Sequence, residues 1–246
     1  MATPYDAKPK ALLKALLNTI EEKIILQTAQ GVSSGSKLFG AAILSKDGLI
    51  PLTTSTNNEA VSPLLHGEIN CIQQFFAQTS FPTTTDDAGS TTTTRPSPRD
   101  CVFLATHEPC SLCLSGITWA GFDNFFYLFT YEDSRDLFAI PYDIEILQEV
   151  FRVPAVGLVE EGVEAKKQND GVREDLDARP LYNRRNKFFT ARSFGDLVCE
   201  IEDLEDEEEA RWWHDEILRV KTLYNGLSDT YQKGKVGGVE SASFWK

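Results

Sequence analysis

The sequence has little of what membrane, secreted and nucleic-acid-binding proteins require. No stretch approaches the ~18 consecutive apolar residues of a membrane-spanning helix, and the N-terminal residues lack the basic-then-apolar order of a secretory signal. Basic residues are also scarce, with 24 lysines and arginines against 37 acids and a net charge of −13. Because nucleic-acid binding depends on contacts from lysine and arginine to phosphates, we expect neither nucleic acid nor a membrane as a partner. The expected location is the cytoplasm, with the nucleus as the alternative.

Cysteine is scarce as well. Five cysteines in 246 residues are too few and too unevenly spaced for a disulfide framework. In a reducing compartment such cysteines are buried, catalytic or metal-bound. Their spacing therefore indicates which of these roles each one has.

Helix and strand patterns alternate along the chain. The predicted helices cover residues 8–28, 66–76, 110–120 and 143–151, and a long C-terminal helix has an apolar stripe from Trp213 to Leu227. The predicted strands are 38–44, 49–54, 101–106, 124–129 and 155–159. This order predicts an α/β fold with three layers, α/β/α, around a central mixed sheet of about five strands. We place one domain at residues 1–161, with a low-complexity, threonine-rich loop at 79–99. A C-terminal extension follows at 162–246 and contains eight acids and no base between Glu200 and Glu209.

Two short segments carry the candidate chemistry. His66-Gly67-Glu68 begins one predicted helix, and Pro109-Cys110-Ser111-Leu112-Cys113 begins another. Cys110 and Cys113 lie three positions apart, so both thiols lie on one face of the first helical turn. The helix dipole there favours the thiolates that bind Zn²⁺. With a nitrogen from His66, three protein ligands leave the fourth position of a tetrahedral zinc ion for water, as in catalytic sites.

A redox-active pair or a structural zinc site is the alternative interpretation of Cys-x-x-Cys. A structural site needs a fourth protein ligand, for which Cys71, Cys101, His107 and His214 are candidates without helpful spacing. We expect Cys71 and Cys101 to be core residues and His214 to lie on the surface.

Glu68, two positions after His66, favours hydrolytic chemistry. Zinc lowers the pKa of its bound water, but hydrolytic removal of an amine also needs a group that carries the proton to the ring nitrogen and the leaving amine. We therefore predict Glu68 as the catalytic acid and base.

These motifs resemble the zinc-dependent cytidine and nucleobase deaminase superfamily, whose signature is His-x-Glu followed by Pro-Cys-x-x-Cys. Residues 39–43 and 47–48 are similar to its first hairpin. Residues 65–69 resemble especially fungal-type cytosine deaminases, and also guanine and transfer-RNA adenosine deaminases. The resemblance implies a cytidine-deaminase-like fold for residues 1–161, zinc ligands at His66, Cys110 and Cys113, and a proton shuttle at Glu68.

The resemblance also implies substrate contacts. Asn57 or Asn58 would hold the substrate ring, and the backbone around Glu108 would receive the leaving amine. The loop at 131–136, which includes Asp133 and directly follows the predicted strand 124–129, would face the substrate.

The expected function is hydrolytic deamination of a small aminated heterocycle, a nucleobase or nucleoside, by a homodimer. One alternative is a transfer-RNA adenosine deaminase or a subunit of one. Its basic surface would come from a cluster of cations within the C-terminal extension: Arg173, Arg179, Arg184, Arg185 and Lys187. The other alternative is a non-catalytic, zinc-stabilised interaction protein. Late aromatic residues are candidates for a lid over the pocket, although ordinary packing also explains them: Phe188, Phe189, Phe194, Trp212 and Trp213.

Overall fold

The computed structural model describes residues 8–81, 84–85, 91–92, 95–151, 181–204 and 207–237. The first helices and strands in chain order are α1 (Pro9–Thr19), α2 (Ile25–Ser33), β1 (Gly40–Ser45), β2 (Pro51–Thr56), α3 (Gly67–Ala77), β3 (Thr84–Thr85), β4 (Thr91–Thr92), β5 (Cys101–His107), α4 (Ser111–Ala120) and β6 (Asn124–Phe129). They are followed by α5 (Tyr131–Phe138), α6 (Tyr142–Ile146), β7 (Thr190–Ser193), α7 (Phe194–Leu204), α8 (Glu207–Thr222) and α9 (Asn225–Gly237). A π-helical turn, Ile20–Ile24, joins α1 to α2, and a second, Leu147–Phe151, follows α6. None of the helices within these ranges is both long and apolar enough to cross a membrane.

A five-stranded mixed sheet in the order β2-β1-β5-β6-β7 confirms the predicted α/β class. Strand β1 is antiparallel to β2 and β5, whereas β5, β6 and β7 run parallel. The predicted strand at 155–159 lies outside the described residues, and the fifth strand is β7, which lies in the predicted C-terminal extension. The division of the chain at residue 161 stays a prediction.

Alternating side chains give the sheet two buried faces. Ala42 and Leu44 of β1 point to the core under α1, α2 and the C-terminal helices, whereas Ala41 and Ile43 point to the core under α3 and α4. The predicted apolar stripe of the first helix is buried in the first core, and so is the predicted C-terminal stripe: Leu13, Leu16, Leu17, Ile20, Ile24, Trp213, Ile217, Val220, Tyr224 and Leu227. The prediction of one long C-terminal helix was wrong, because a turn at residues 223–224 divides this stretch between α8 and α9. Helices therefore cover both faces of the sheet, which is the predicted three-layer arrangement.

Local sequence explains the boundaries next to the site. Strand β2 begins at Pro51 on the edge of the sheet, where its missing N–H costs no ladder bond. Gly48, at φ +70°, lies in the turn of the β1–β2 hairpin, and Gly121, at φ +90°, ends α4. Residues 57–66 then lead from β2 to α3, and residues 108–110 lead from β5 to α4. These two connections place the starts of α3 and α4 side by side.

Candidate active site

The start of α3 lies directly against the backbone of β1. A Cβ atom on Gly67 would lie 2.9 Å from both Gly40 Cα and Phe39 O, so this approach requires glycine. The residue before it, His66, is the N-cap of α3 and has extended backbone. Cys110 is likewise the N-cap of α4. The two helix starts therefore direct His66 and the two cysteines to one place.

His66, Cys110 and Cys113 form a cluster whose ligand atoms all lie within 4.8 Å of one another. His66 Nδ1 is 3.4 Å from Cys110 Sγ and 3.7 Å from Cys113 Sγ. Tetrahedral zinc at ordinary Zn–N and Zn–S bond lengths separates nitrogen and sulfur by about 3.6 Å. The donor set and its spacing therefore fit Zn²⁺ without rearrangement.

Cys110 favours the thiolate form of a metal ligand, whereas His66 and Cys113 favour their protonated forms. Hydrogen bonds from Cys113 and His66 hold the pKa of Cys110 well below its usual range, while burial raises the pKa of Cys113. Burial lowers the pKa of His66, but the hydrogen bond and charge of Cys110 outweigh it and raise that pKa to about 9. A metal that binds here displaces these protons.

Glu68 lies in the first turn of α3, almost fully buried beside the cluster. Burial raises the pKa of its carboxyl to about 7. Its Oε2 atom is buried and makes no hydrogen bond within the described part of the chain. Burying a carboxylate oxygen without a hydrogen-bond partner costs free energy. We therefore expect its partner to be a group that binds together with the metal or the substrate.

A cavity of about 280 Å³ opens beside His66 and Cys110. Its other lining residues are Lys37, Phe39, Pro63, Leu64, Ser111, Leu112, Ile140, Tyr142, Asp143 and Ile146. Neither Lys37 nor Asp143 was predicted from the sequence. Asp143 begins the predicted helix 143–151, but α5 separates it from β6, so its position in the sequence does not indicate the site.

Asn57 and Asn58 differ in their environments. Asn57 is buried, and its Oδ1 accepts a hydrogen bond of 2.6 Å from the N–H of Gly67, while its Nδ2 is buried and makes no hydrogen bond within the described residues. Asn57 therefore fixes the start of α3 and keeps one amide hydrogen-bond donor. Both asparagines line a polar groove between α2 and α3, and neither lines the cavity beside His66. The backbone N–H of Asn58 donates to Leu65 O at 2.8 Å.

The structure does not bring the Glu108 and Asp133 side chains to the cavity. The carboxylate of Glu108 accepts hydrogen bonds from the Tyr131 N–H at 3.1 Å and the Tyr182 hydroxyl at 2.8 Å. Residues 131–136 belong to helix α5 and not to the predicted loop, because Thr130 and Asp133 form a capping box that begins the helix. Asp133 Oδ2 also lies 2.6 Å from Lys221 Nζ. Both carboxylates support the local fold around the site, and Asp143 provides the carboxylate that lines the cavity.

The candidates for a fourth protein ligand all lie elsewhere. Cys71 and Cys101 are buried in the core under α3 and α4, as predicted, and burial raises the pKa of each thiol. His107 is buried among aromatic rings, with its Nδ1 atom 2.9 Å from Thr106 Oγ1, and His214 is exposed. Within the described residues the cluster therefore has three protein ligands.

The late aromatic residues do not line this cavity. Phe189, Phe194 and Trp213 are buried in the two cores, whereas Phe188 and Trp212 are more than half exposed. Ordinary packing accounts for the first three.

Residues 20–129 match the family described as the cytidine and deoxycytidylate deaminase zinc-binding region, and this span contains the metal cluster and Glu68. Similar solved structures include a guanine deaminase from Bacillus subtilis, with 22% identity over 70% of this chain and 98% of that chain and a TM-score of 0.39. Guanine deaminase from Nitrosomonas europaea has 16% identity over 89% of this chain and 86% of that chain, with a TM-score of 0.36. A structure from a study of A-to-I editing by tRNA:A34 deaminases has 17% identity over 45% of this chain and 74% of that chain, with a TM-score of 0.32. No curated protein sequence matches the chain.

Proposed function

Because residues 20–129 match the family described as the cytidine and deoxycytidylate deaminase zinc-binding region, we propose that the protein is a zinc-dependent hydrolytic deaminase. It removes the exocyclic amine of a small heterocycle, a nucleobase or nucleoside, with release of ammonia. The observation that carries the proposal is the His66–Cys110–Cys113 cluster next to the buried Oε2 atom of Glu68, for which the described residues provide no hydrogen-bond partner.

His66, Cys110 and Cys113 would hold the zinc ion. When bound, zinc supplies Lewis acidity and lowers the pKa of a water molecule. Three ligands from the starts of two helices leave one side of the cluster open toward the cavity, where a substrate can reach it.

Glu68 would move the protons of the reaction. Burial raises the pKa of its carboxyl to about 7, so both protonation states are accessible near neutral pH. An acid and base with a pKa near the working pH is best suited to both take up and donate a proton. Glu68 Oε2 would take one proton of the attacking water and pass it to the ring nitrogen. It would then carry the second proton of that water, from the hydroxyl added to the ring carbon, to the amine, which leaves as ammonia.

Neighbouring groups would orient the heterocycle. The apolar walls would exclude water from the ring, and the carboxyl group of Asp143, which lines the cavity, would form a hydrogen bond to it. Asn57 lines the polar groove between α2 and α3, so its role in holding the ring stays a prediction. The expected homodimer and cytoplasmic location stay predictions.

The test is an ammonia-release screen of the zinc-loaded full chain against cytosine, cytidine, guanine, guanosine, adenine and adenosine. We expect turnover of at least one compound, and loss of that turnover in Glu68→Gln. If none of these compounds released ammonia, the result would contradict the proposal. A salt-dependent shift with transfer RNA, together with inosine formation, would instead favour the transfer-RNA adenosine deaminase.

A further inference from the structure

We propose that Tyr182 is a positioning residue for the metal cluster and that it acts through the carboxylate of Glu108. Tyr182 lies in the segment that precedes β7, outside residues 20–129, which match the deaminase zinc-binding region. Glu108 lies two residues before the proposed zinc ligand Cys110. The inference rests on the proposed zinc-dependent function, but it is tested by the zinc affinity of the chain and not by turnover.

The carboxylate of Glu108 is buried and has one hydrogen-bond donor on each oxygen. Glu108 is 5% exposed. Its Oε1 atom accepts a hydrogen bond from the Tyr182 hydroxyl at 2.8 Å, and its Oε2 atom accepts one from the Tyr131 N–H at 3.1 Å. A buried carboxylate that loses a hydrogen bond is strongly destabilised. Removal of the Tyr182 hydroxyl should therefore make Glu108 move toward another donor or toward water.

A short and restrained connection joins Glu108 to Cys110. The backbone N–H of Glu108 donates to Phe129 O at 2.8 Å. Pro109 O accepts a hydrogen bond from the Tyr131 hydroxyl at 2.5 Å, and the proline ring fixes the φ angle of this residue. Cys110 follows directly as the N-cap of α4. Because few torsions remain free between Glu108 and Cys110, a shift of the first moves the second as well.

Tyr182 is held in place independently of Glu108. The centre of its ring lies 6.5 Å from that of Phe125, with the two rings nearly parallel, and 6.2 Å from that of Tyr131, edge to face. Arg184 O, two residues later, accepts a hydrogen bond of 2.8 Å from a backbone N–H of β7. The central sheet therefore fixes the position from which the Tyr182 hydroxyl reaches Glu108.

Arg184 contributes charge near Glu108 but does not orient its carboxylate. The Arg184 guanidinium lies 3.7 Å from Glu108 Oε1 and 3.6 Å from Asp196 Oδ2, and its side chain is 40% exposed. Both distances are longer than those of hydrogen bonds, and an exposed ion pair contributes little. The Tyr182 hydroxyl, at 2.8 Å, is therefore the group of this segment that fixes the carboxylate.

The metal cluster depends on accurate placement of Cys110. His66 Nδ1 lies 3.4 Å from Cys110 Sγ and 3.7 Å from Cys113 Sγ, close to the distance of about 3.6 Å that tetrahedral zinc requires. Functional sites need their groups within about 0.5 Å of the productive geometry. Loss of a hydrogen-bonding group that supports the ligands typically weakens metal binding by about 10- to 100-fold. We therefore expect the Tyr182 hydroxyl to affect zinc affinity.

The test is zinc affinity, measured in competition with a chelator, together with the Tm of the zinc-free protein. Tyr182→Phe removes only the hydroxyl and should weaken zinc binding about 10-fold. The matched control is Tyr127→Phe. Tyr127 is buried in the core under α3 and α4, and its hydroxyl makes no hydrogen bond within the described residues. The control variant should therefore bind zinc as tightly as wild type.

The two measurements separate positioning from general stability. A hydroxyl that only stabilised the fold would raise the Tm of the zinc-free protein and leave the zinc affinity unchanged. If Tyr182→Phe bound zinc as tightly as Tyr127→Phe, the inference would be overturned, whatever the change in Tm.

A double variant tests whether the effect passes through Glu108. Once Glu108→Ala has removed the carboxylate, the additional change Tyr182→Phe should not weaken zinc binding further. A full additional loss would show that Tyr182 acts by another route and would overturn the role of Glu108. If Glu108→Ala does not fold, Arg184→Gln takes its place. This variant keeps the Tyr182 hydroxyl and should retain zinc, whereas a loss as large as that of Tyr182→Phe would show that charge, and not the hydrogen bond, positions Glu108.

The two proposals fail in different ways. If the wild-type chain bound no zinc, the proposed function would fail and this inference with it. If the wild-type chain and Tyr182→Phe bound zinc equally, the deaminase function would stand and only the positioning role of Tyr182 would be lost.

Discussion

Replacing Gly67 by alanine tests how closely the start of α3 must approach β1. The new Cβ would lie 2.9 Å from Gly40 Cα and from Phe39 O, whereas ordinary contact begins at 3.4 Å. Both neighbours are backbone atoms and cannot rotate away. The start of α3 must therefore shift by at least 0.5 Å relative to the sheet.

The shift should affect both stability and the site. Overpacking of this kind costs about 1–3 kcal/mol, and the gain in helix propensity from glycine to alanine returns at most about 1 kcal/mol. At about 2–4 °C per kcal/mol for a chain of this size, Tm should fall by a few degrees. His66 and Glu68 flank the substituted residue, so both move relative to Cys110. Because misplacement by ~1 Å can cost on the order of 100-fold in rate, we expect turnover to fall at least ~10-fold.

The assays are thermal unfolding and ammonia release, with Gly226→Ala as the control. An added Cβ at Gly226, in α9, meets no atom within 4 Å, so this variant should keep the wild-type Tm or exceed it slightly and keep full turnover. If Gly67→Ala matched Gly226→Ala in both assays, the close approach would not be needed for the site.

The remaining predictions concern zinc and the C-terminal helices. Cys110→Ala should lose most of its zinc in metal analysis, while Cys199→Ala, at an exposed cysteine, should keep it; full retention in Cys110→Ala would refute the ligand assignment. Chelation of zinc should lower Tm, because a ligand that binds the folded state stabilises it, and an unchanged Tm would mean that the cluster holds no zinc. Trp213→Ala, in the core, should cost about 3–5 kcal/mol, whereas Trp212→Ala, 57% exposed, should change stability by about 0.5 kcal/mol or less. Equal effects in chemical denaturation would contradict the packing described for α8.

Most of the fold follows from local patterns in the sequence. The strand over Asn124–Phe129 was predicted with its observed bounds, and α4 ends at Gly121 as expected. Continuous apolar runs and a glycine that adopts positive φ are strong local signals, and they need no knowledge of the tertiary structure. Strand β7 was missed because Thr190–Ser193 is a short, partly polar segment, and its strand conformation depends on pairing with β6.

The site likewise contains some residues that the sequence predicts and others that it does not. The metal cluster was predictable because His66, Cys110 and Cys113 lie in two short motifs whose spacing is local. The charged residues of the cavity wall were not predictable. Lys37 pairs with Glu59, which lies 22 residues away in the sequence, and the packing of α6 places Asp143 at the cavity. Asp133 was chosen from position alone, and its carboxylate is committed to a helix cap and to Lys221. Contacts between segments distant in sequence carry no local signature.

Parallel measurement of zinc content and turnover in Glu68→Gln tests the central claim most directly. The substitution keeps the size and shape of the side chain but replaces the carboxyl group, which would carry the proton, with an amide. We predict wild-type zinc content and a loss of turnover of about 10²- to 10⁴-fold on the best substrate of the screen, the usual contribution of a general acid and base. Retained turnover would show that Glu68 carries no proton, and loss of zinc together with turnover would show that it supports the metal cluster instead.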